Sequence, residues 1–154
     1  MMREVTLDEL PQWLRDLHAM WAAKKDALVF PPRASFVVED FMPWIGRLHL
    51  VEVLPDDDFR FVIYGASTNV SRRRDYSGLK LSEIADPLAR IWEQGYRNAV
   101  AARTPQFFHH PIDVYAPREE RVSWWRAILP LGDGGKVTHL LVGFQVIAED
   151  GRYL

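Results

Sequence analysis

The sequence predicts an α+β domain built on a five-stranded antiparallel sheet, and three observations predict it. Two stretches of helical periodicity, one near the start and one mid-chain, alternate with aromatic and β-branched runs of strand length. The first two strand runs are joined by a short polar turn, which calls for antiparallel pairing. The last run carries apolar residues on both of its faces, so a covering layer is expected on each side of the sheet.

The elements follow in chain order. Thr6-Leu7-Asp8-Glu9 has the form of a capping box, Asp8 competes as N-cap, and Pro11 suits a first helical turn. Leu10, Leu14, Leu17, Trp21 and Leu28 then mark the apolar stripe of an N-terminal helix that Pro31-Pro32 ends, and residues 1–31 are read as that helix. After a loop from Arg33 to Asp40, residues His49–Leu54 and Phe59–Tyr64 read as strands around the turn Pro55-Asp56-Asp57-Asp58. Gly65 to Leu81 is small and polar, suited to short turns, and Ser82–Ala85 adds one more. Asp86-Pro87 starts the clearest helix, whose stripe is Leu88, Ile91, Trp92, Gly95, Tyr96, Ala99 and Val100 and which Thr104-Pro105 ends. Three strands are expected after it. They are Gln106–Tyr115, broken at Pro111, then Arg121–Leu131, and Lys136–Ala148 beyond the turn Gly132-Asp133-Gly134-Gly135.

Composition narrows the classes. The 154 residues are 48% hydrophobic and 26% charged, which fits one folded domain. A chain of this length buries roughly 70% of its unfolded surface and needs no staples. The absence of cysteine excludes disulfides, thiolate metal sites, a cysteine nucleophile and a cysteinyl-flavin photoadduct. A net charge of -2 gives no pull toward nucleic acid or a membrane surface. The first residues lack the apolar run of a signal peptide and no stretch reads as a membrane span, so a cytoplasmic location is expected.

The order of two strands, a helical middle and three strands resembles a PAS domain. The motifs sharpen this toward a bacterial PAS-like family. Pro32-Arg33-Ala34-Ser35-Phe36, Met42-Pro43-Trp44-Ile45-Gly46, Asp58–Gly65, Asp75–Leu81 and Leu129-Pro130-Leu131 are similar to that family's stretches P-x-R-x-D-F, D-F-R-Y-R-L-x-G-T, D-L-T-G-K and L-P-L. The likeness runs from about Leu10 to Ile147, so residues 32–154 are read as the PAS-like domain, one unit with the leading helix. Two positions depart from the pattern: Val62 stands where the family has a second basic residue, and Ala66 where it has threonine. The resemblance implies a sensory or regulatory module that signals through contacts with a partner protein, with its output carried by another chain. A homodimer through the N-terminal helix is expected with it.

The resemblance also implies a ligand site between the sheet and the long helix. Candidate residues for it are Tyr64, Trp92, Tyr96, Phe108, His110, Trp124 and Arg126. Trp92 and Tyr96 are four apart on one helix face, suited to stacking on a planar guest, though core packing is the weightier reading. Trp124 and Arg126 share one strand face and Trp125 takes the other. The favoured reading sets Arg126 on the outer face, over the N-terminal helix and paired with an acid, with Trp125 inward; the alternative turns Arg126 inward to grip a carboxylate or phosphate. The cofactor is unknown: haem is disfavoured because Pro87–Arg103 has no histidine, and noncovalent flavin stays open. His109, His110, Asp113 and His139 lack the spacing of a metal set. Arg72-Arg73-Arg74 reads as a solvated loop, and no nucleophile or phosphate-loop motif occurs. No catalytic residue is assigned. The alternatives are a small isomerase or dehydratase using Asp113, His110 or His139, and a ligand-free interaction domain.

Overall fold

A computed structural model describes residues 2–65, 75–110 and 121–153. The expected alternation of strand runs is realised as one antiparallel sheet of six strands rather than five. The strands are β1 (Arg3–Glu4), β2 (Leu48–Val53), β3 (Phe59–Ile63), β4 (Gln106–His110), β5 (Val122–Asp133) and β6 (Lys136–Ala148), in the spatial order β1-β4-β5-β6-β2-β3. The unexpected strand is β1. Two residues carry no periodicity, and β1 exists only because the backbone edge of β4 offers partners, with Arg3 opposite His109 and Glu4 opposite Phe108. The β2–β3 and β5–β6 hairpins fall within a residue or two of the sequence reading. Gly134 and Gly135, at φ 59° and 80°, make the two-residue turn of the second hairpin. Of the expected strand Gln106–Tyr115, the part from Pro111 onward lies outside the described residues, as do Asp113, Ala66 and Arg72-Arg73-Arg74.

The α-helices of the described residues are α1 (Gln12–Lys25), α2 (Val38–Phe41) and α3 (Leu88–Ala102). The capping-box residues do meet, since the Glu9 carboxylate accepts from the Thr6 N–H at 2.7 Å. They cap a short 3-10 turn at Leu7–Glu9, however, and α1 begins only after Pro11. The helix also stops sooner than Pro31-Pro32 required. Asp26 adopts φ 50° directly after Lys25, so Leu28 leaves the stripe and is exposed. The stretch read as loop contains α2, one helical turn that buries Phe41.

The sheet is covered on both faces, as the two-sided apolar pattern of β6 requires. Helix α1 lies on one face. Leu14 and Leu17 are fully buried over Gly143, and the Trp21 Nε1–H donates to the Pro130 carbonyl at 2.9 Å. The stripe Leu10, Leu14, Leu17, Trp21 is thus buried against the chain's own sheet, and a homodimer through α1 would have to use its outward side. Helix α3 lies on the opposite face, burying Ala89, Trp92, Tyr96 and Ala99. Gly143 is the closest approach of α1 to the sheet, because a Cβ there would run into Leu17 Cδ2 and meet Leu14 Cδ2 at 3.0 Å. Gly143→Ala is expected to cost about 2 kcal/mol through overpacking, read as a lowered urea midpoint at unchanged slope.

Candidate functional site

Alternation along each strand and the ladder register decide which side chains face α3. Across the sheet, Phe108 stands opposite Arg126, and Arg126 opposite Phe144. The next row toward the strand ends is His110, Trp124, Val146, and the row on the other side runs Ile128, Val142, His49. All these residues lie on the side covered by α3. A Cβ on Gly95 would be 3.4 Å from Arg126 Nη2 and 3.7 Å from Phe108 Cε2, so the guanidinium lies directly beneath that helical glycine.

This overturns the favoured reading of Arg126. It is 4% exposed and belongs to the α3 side, and Trp125 is the residue facing α1, stacked on His109 at 3.9 Å. The relation among the three neighbours was read correctly and their assignment to faces was inverted.

An aromatic wall shares this side of the sheet with Arg126. The His49 ring stacks between Tyr64 at 4.5 Å and Phe144 at 4.8 Å. Trp124 lies 6.1 Å from Phe144. Phe61 meets His49, Tyr64 and Trp92 edge-on, Tyr76 meets Tyr64 and Trp92 in the same way, and Tyr96 meets Phe59 at 5.5 Å. The seven residues expected at the site therefore all sit on one side of the sheet. Trp92 and Tyr96 also pack on core rings, as their weightier reading held.

The electrostatics follow from burial around one permanent charge. The Arg126 guanidinium cannot be neutralised. His49 accepts from the Gly65 N–H through Nδ1 at 3.0 Å, and burial, helped by the Arg126 charge, pushes its pKa down to about 3. Burial and the same charge push His110 down to about 4. Burial drives the Tyr96 hydroxyl far above its ordinary range, against the pull of Arg126. At neutral pH both imidazoles and the phenol are thus neutral beside a cation. Two positions from that cation on the strand, the indole Nε1–H of Trp124 is buried with no hydrogen-bond partner among the described residues. Trp124 and Arg126, two positions apart on one strand face, bring together donors of the kind that recognise a carboxylate or phosphate.

Residues weighed for other chemistry are not brought together. His110 faces α3, whereas His109 and His139 lie on the α1 side, His139 beside the Thr138 hydroxyl at 2.9 Å. Among the described residues no group of three His, Asp or Glu side chains is arranged to hold a metal ion. No described helix is long and apolar enough to cross a membrane.

His49 was read only as a strand residue. The available signal was its parity with Val51 and Val53, which sets it on the same face as Phe59 and Phe61. For Arg126 the signal was Gly95, a helical glycine on the core-facing stripe that leaves room for a large side chain below. Set against family models, curated proteins and solved structures, the chain matches none of them.

Proposed function

We propose that this chain is a PAS-like sensory module that holds a small planar anion between α3 and the sheet and passes its occupancy to a partner protein. The observation that carries the reading is the buried Trp124 N–H, which has no hydrogen-bond partner among the described residues, on the same strand face as Arg126, itself 4% exposed. An aromatic carboxylate or phosphate would accept from the buried Trp124 N–H within the field of the Arg126 charge while stacking on neighbouring rings. The order of two strands, a helical middle and three strands supports the PAS-like part of the reading. Acid–base catalysis by His110 is disfavoured, since an imidazole held near a pKa of about 4 is a weak base at neutral pH.

The competing reading is a ligand-free interaction domain. Ring-to-ring packing favours it: Trp92 already has Phe61 at 5.9 Å and Tyr76 at 6.2 Å. Titration of benzoate, phenyl phosphate and benzamide, followed by the Trp124 indole NMR signal, separates the two. The anions are expected to shift that signal with affinities at least about tenfold above benzamide, and Arg126→Met is expected to erase the difference. Equal affinities for benzoate and benzamide, or anion binding indifferent to Arg126→Met, would remove the anion site. Absence of binding by all three would leave the interaction domain.

A further inference from the structure

The α2 segment is apolar on both of its sides. Val38, Met42 and Ile45 come at steps of four and three along α2 and the 3-10 turn Met42–Trp44 that follows it, and Phe41 and Trp44 take the other side. The inner side is already filled. Phe41 stacks on Phe36 at 5.6 Å, and the buried Trp44 donates its Nε1–H to the Trp13 carbonyl of α1 at 2.9 Å. Lys24 of α1 grips the same segment through the Asp40 carboxylate at 3.1 Å and the Ser35 carbonyl at 3.0 Å, and Asp40 in turn accepts from the Val37 N–H at 2.8 Å. The outer side is thus held in place and left bare. Val37, Val38, Met42 and Ile45 are each more than half exposed, and they are four of the eight large apolar residues exposed among the described residues. Such a row is removed from water only by a second molecule.

Charge at the two ends of the row decides what covers it. Glu39 stands exposed near its start, and Arg47 at its end, with the guanidinium 5.3 Å from the Trp13 ring. Among the described residues neither forms an ion pair. Opposite charges at opposite ends of an apolar row complement themselves under a two-fold axis, which sets each end of one copy on the other end of the second. A foreign partner would impose no such self-complementarity. We infer that the outer side of Val37–Arg47 is a two-fold interface between two copies of this chain, with Val38, Met42 and Ile45 at its centre and Glu39 of each copy facing Arg47 of the other. Self-association is thereby assigned to the α2 segment and not to α1, whose apolar stripe faces the chain's own sheet. The patch is small, so the dimer is weak and forms only as concentration rises. Nothing in this interface depends on the anion site.

Sedimentation velocity of the full chain tests it. The unmodified chain is expected to pass from monomer to dimer as its concentration rises through about 100 µM, and a chain still monomeric at about 500 µM leaves the patch to a foreign partner and overturns the inference. Glu39→Arg and Arg47→Glu each set like charges opposite one another across the two-fold axis, and each is expected to raise the dissociation constant at least about tenfold. An equimolar mixture of the two variants is expected to dimerise again, because both cross pairs then join an arginine to a glutamate. A mixture no more associated than either variant alone overturns the two-fold pairing. Met42→Asp puts a charge at the centre of the row and is expected to weaken the dimer at least about tenfold, whereas Ala101→Asp, on the exposed side of α3 across the sheet, is expected to change it less than about twofold. A dimer that Met42→Asp leaves unchanged, or that both substitutions weaken equally, lies on another surface and overturns the inference as well. Circular dichroism checks that each variant folds. Should Arg47→Glu fail to fold for want of its stacking on Trp13, the contrast between Met42→Asp and Ala101→Asp decides by itself.

Discussion

Trp21→Ala will cost about 4 kcal/mol, and the whole chain will lose that stability in a single transition. Trp21 is 2% exposed, the last large residue of the α1 stripe, and its Nε1–H satisfies the Pro130 carbonyl inside β5 at 2.9 Å. Truncation opens a cavity between helix and sheet and leaves a buried carbonyl without its donor. Trp21→Phe keeps most of the ring and loses only the donor, so it is expected to cost about 1.5 kcal/mol. Urea unfolding followed by tryptophan fluorescence and by far-ultraviolet circular dichroism checks both values. An α1 that were a detachable appendage would give a separate early transition and leave the midpoint of the sheet unmoved. A coincident shift in both probes shows that α1 is part of the one cooperative unit.

Lowering the pH from 6.5 to 4.5 will remove about 2.3 kcal/mol of stability through His49 alone. The sign follows from the two states. In the unfolded chain the imidazole titrates near 6.5, and in the folded chain burial and the Arg126 charge hold it at about 3. Below pH 6.5 the unfolded chain therefore takes up a proton that the folded chain refuses. Stability is intact above the unfolded value and falls by about 1.4 kcal/mol for each pH unit until the folded imidazole itself titrates. His110, pushed down to about 4, acts in the same direction, as do His18, His109 and His139. His49→Gln isolates the share of His49, because an amide oxygen is able to accept from the Gly65 N–H and does not titrate. Urea midpoints measured across that pH range should fall less steeply in His49→Gln than in the unmodified chain. Parallel profiles would mean that His49 is not buried beside Arg126.

Much of the fold was legible because its signals are local. The glycine pair at 134–135 and the acidic turn before Phe59 punctuate hairpins through backbone preferences that act over a few residues. The α3 stripe needed only its own spacing, and it returned Trp92 and Tyr96 on the buried side. Three features were not legible. Strand β1 has too few residues to carry a period and is held by an edge formed about a hundred residues later. The end of α1 at Lys25 turns on the single residue Asp26 at φ 50°, while the prolines that stop any helix come further on. The side of Arg126 was undecidable because β5 is covered on both faces, so alternation separates Trp124 and Arg126 from Trp125 without saying which pair meets which helix.

By itself, then, the order of residues determined an α+β chain with an antiparallel sheet, two amphipathic helices and an aromatic stripe on the second, since hydrophobic period and turn chemistry are properties of neighbouring residues. Only the tertiary structure decided that α1 and α3 take opposite faces, that His49 joins the aromatic wall, and that Arg126 is a buried cation beneath Gly95 beside the Met2 thioether. Register is a relation between distant strands, and a shift of one residue would have sent that charge to the other side of the sheet.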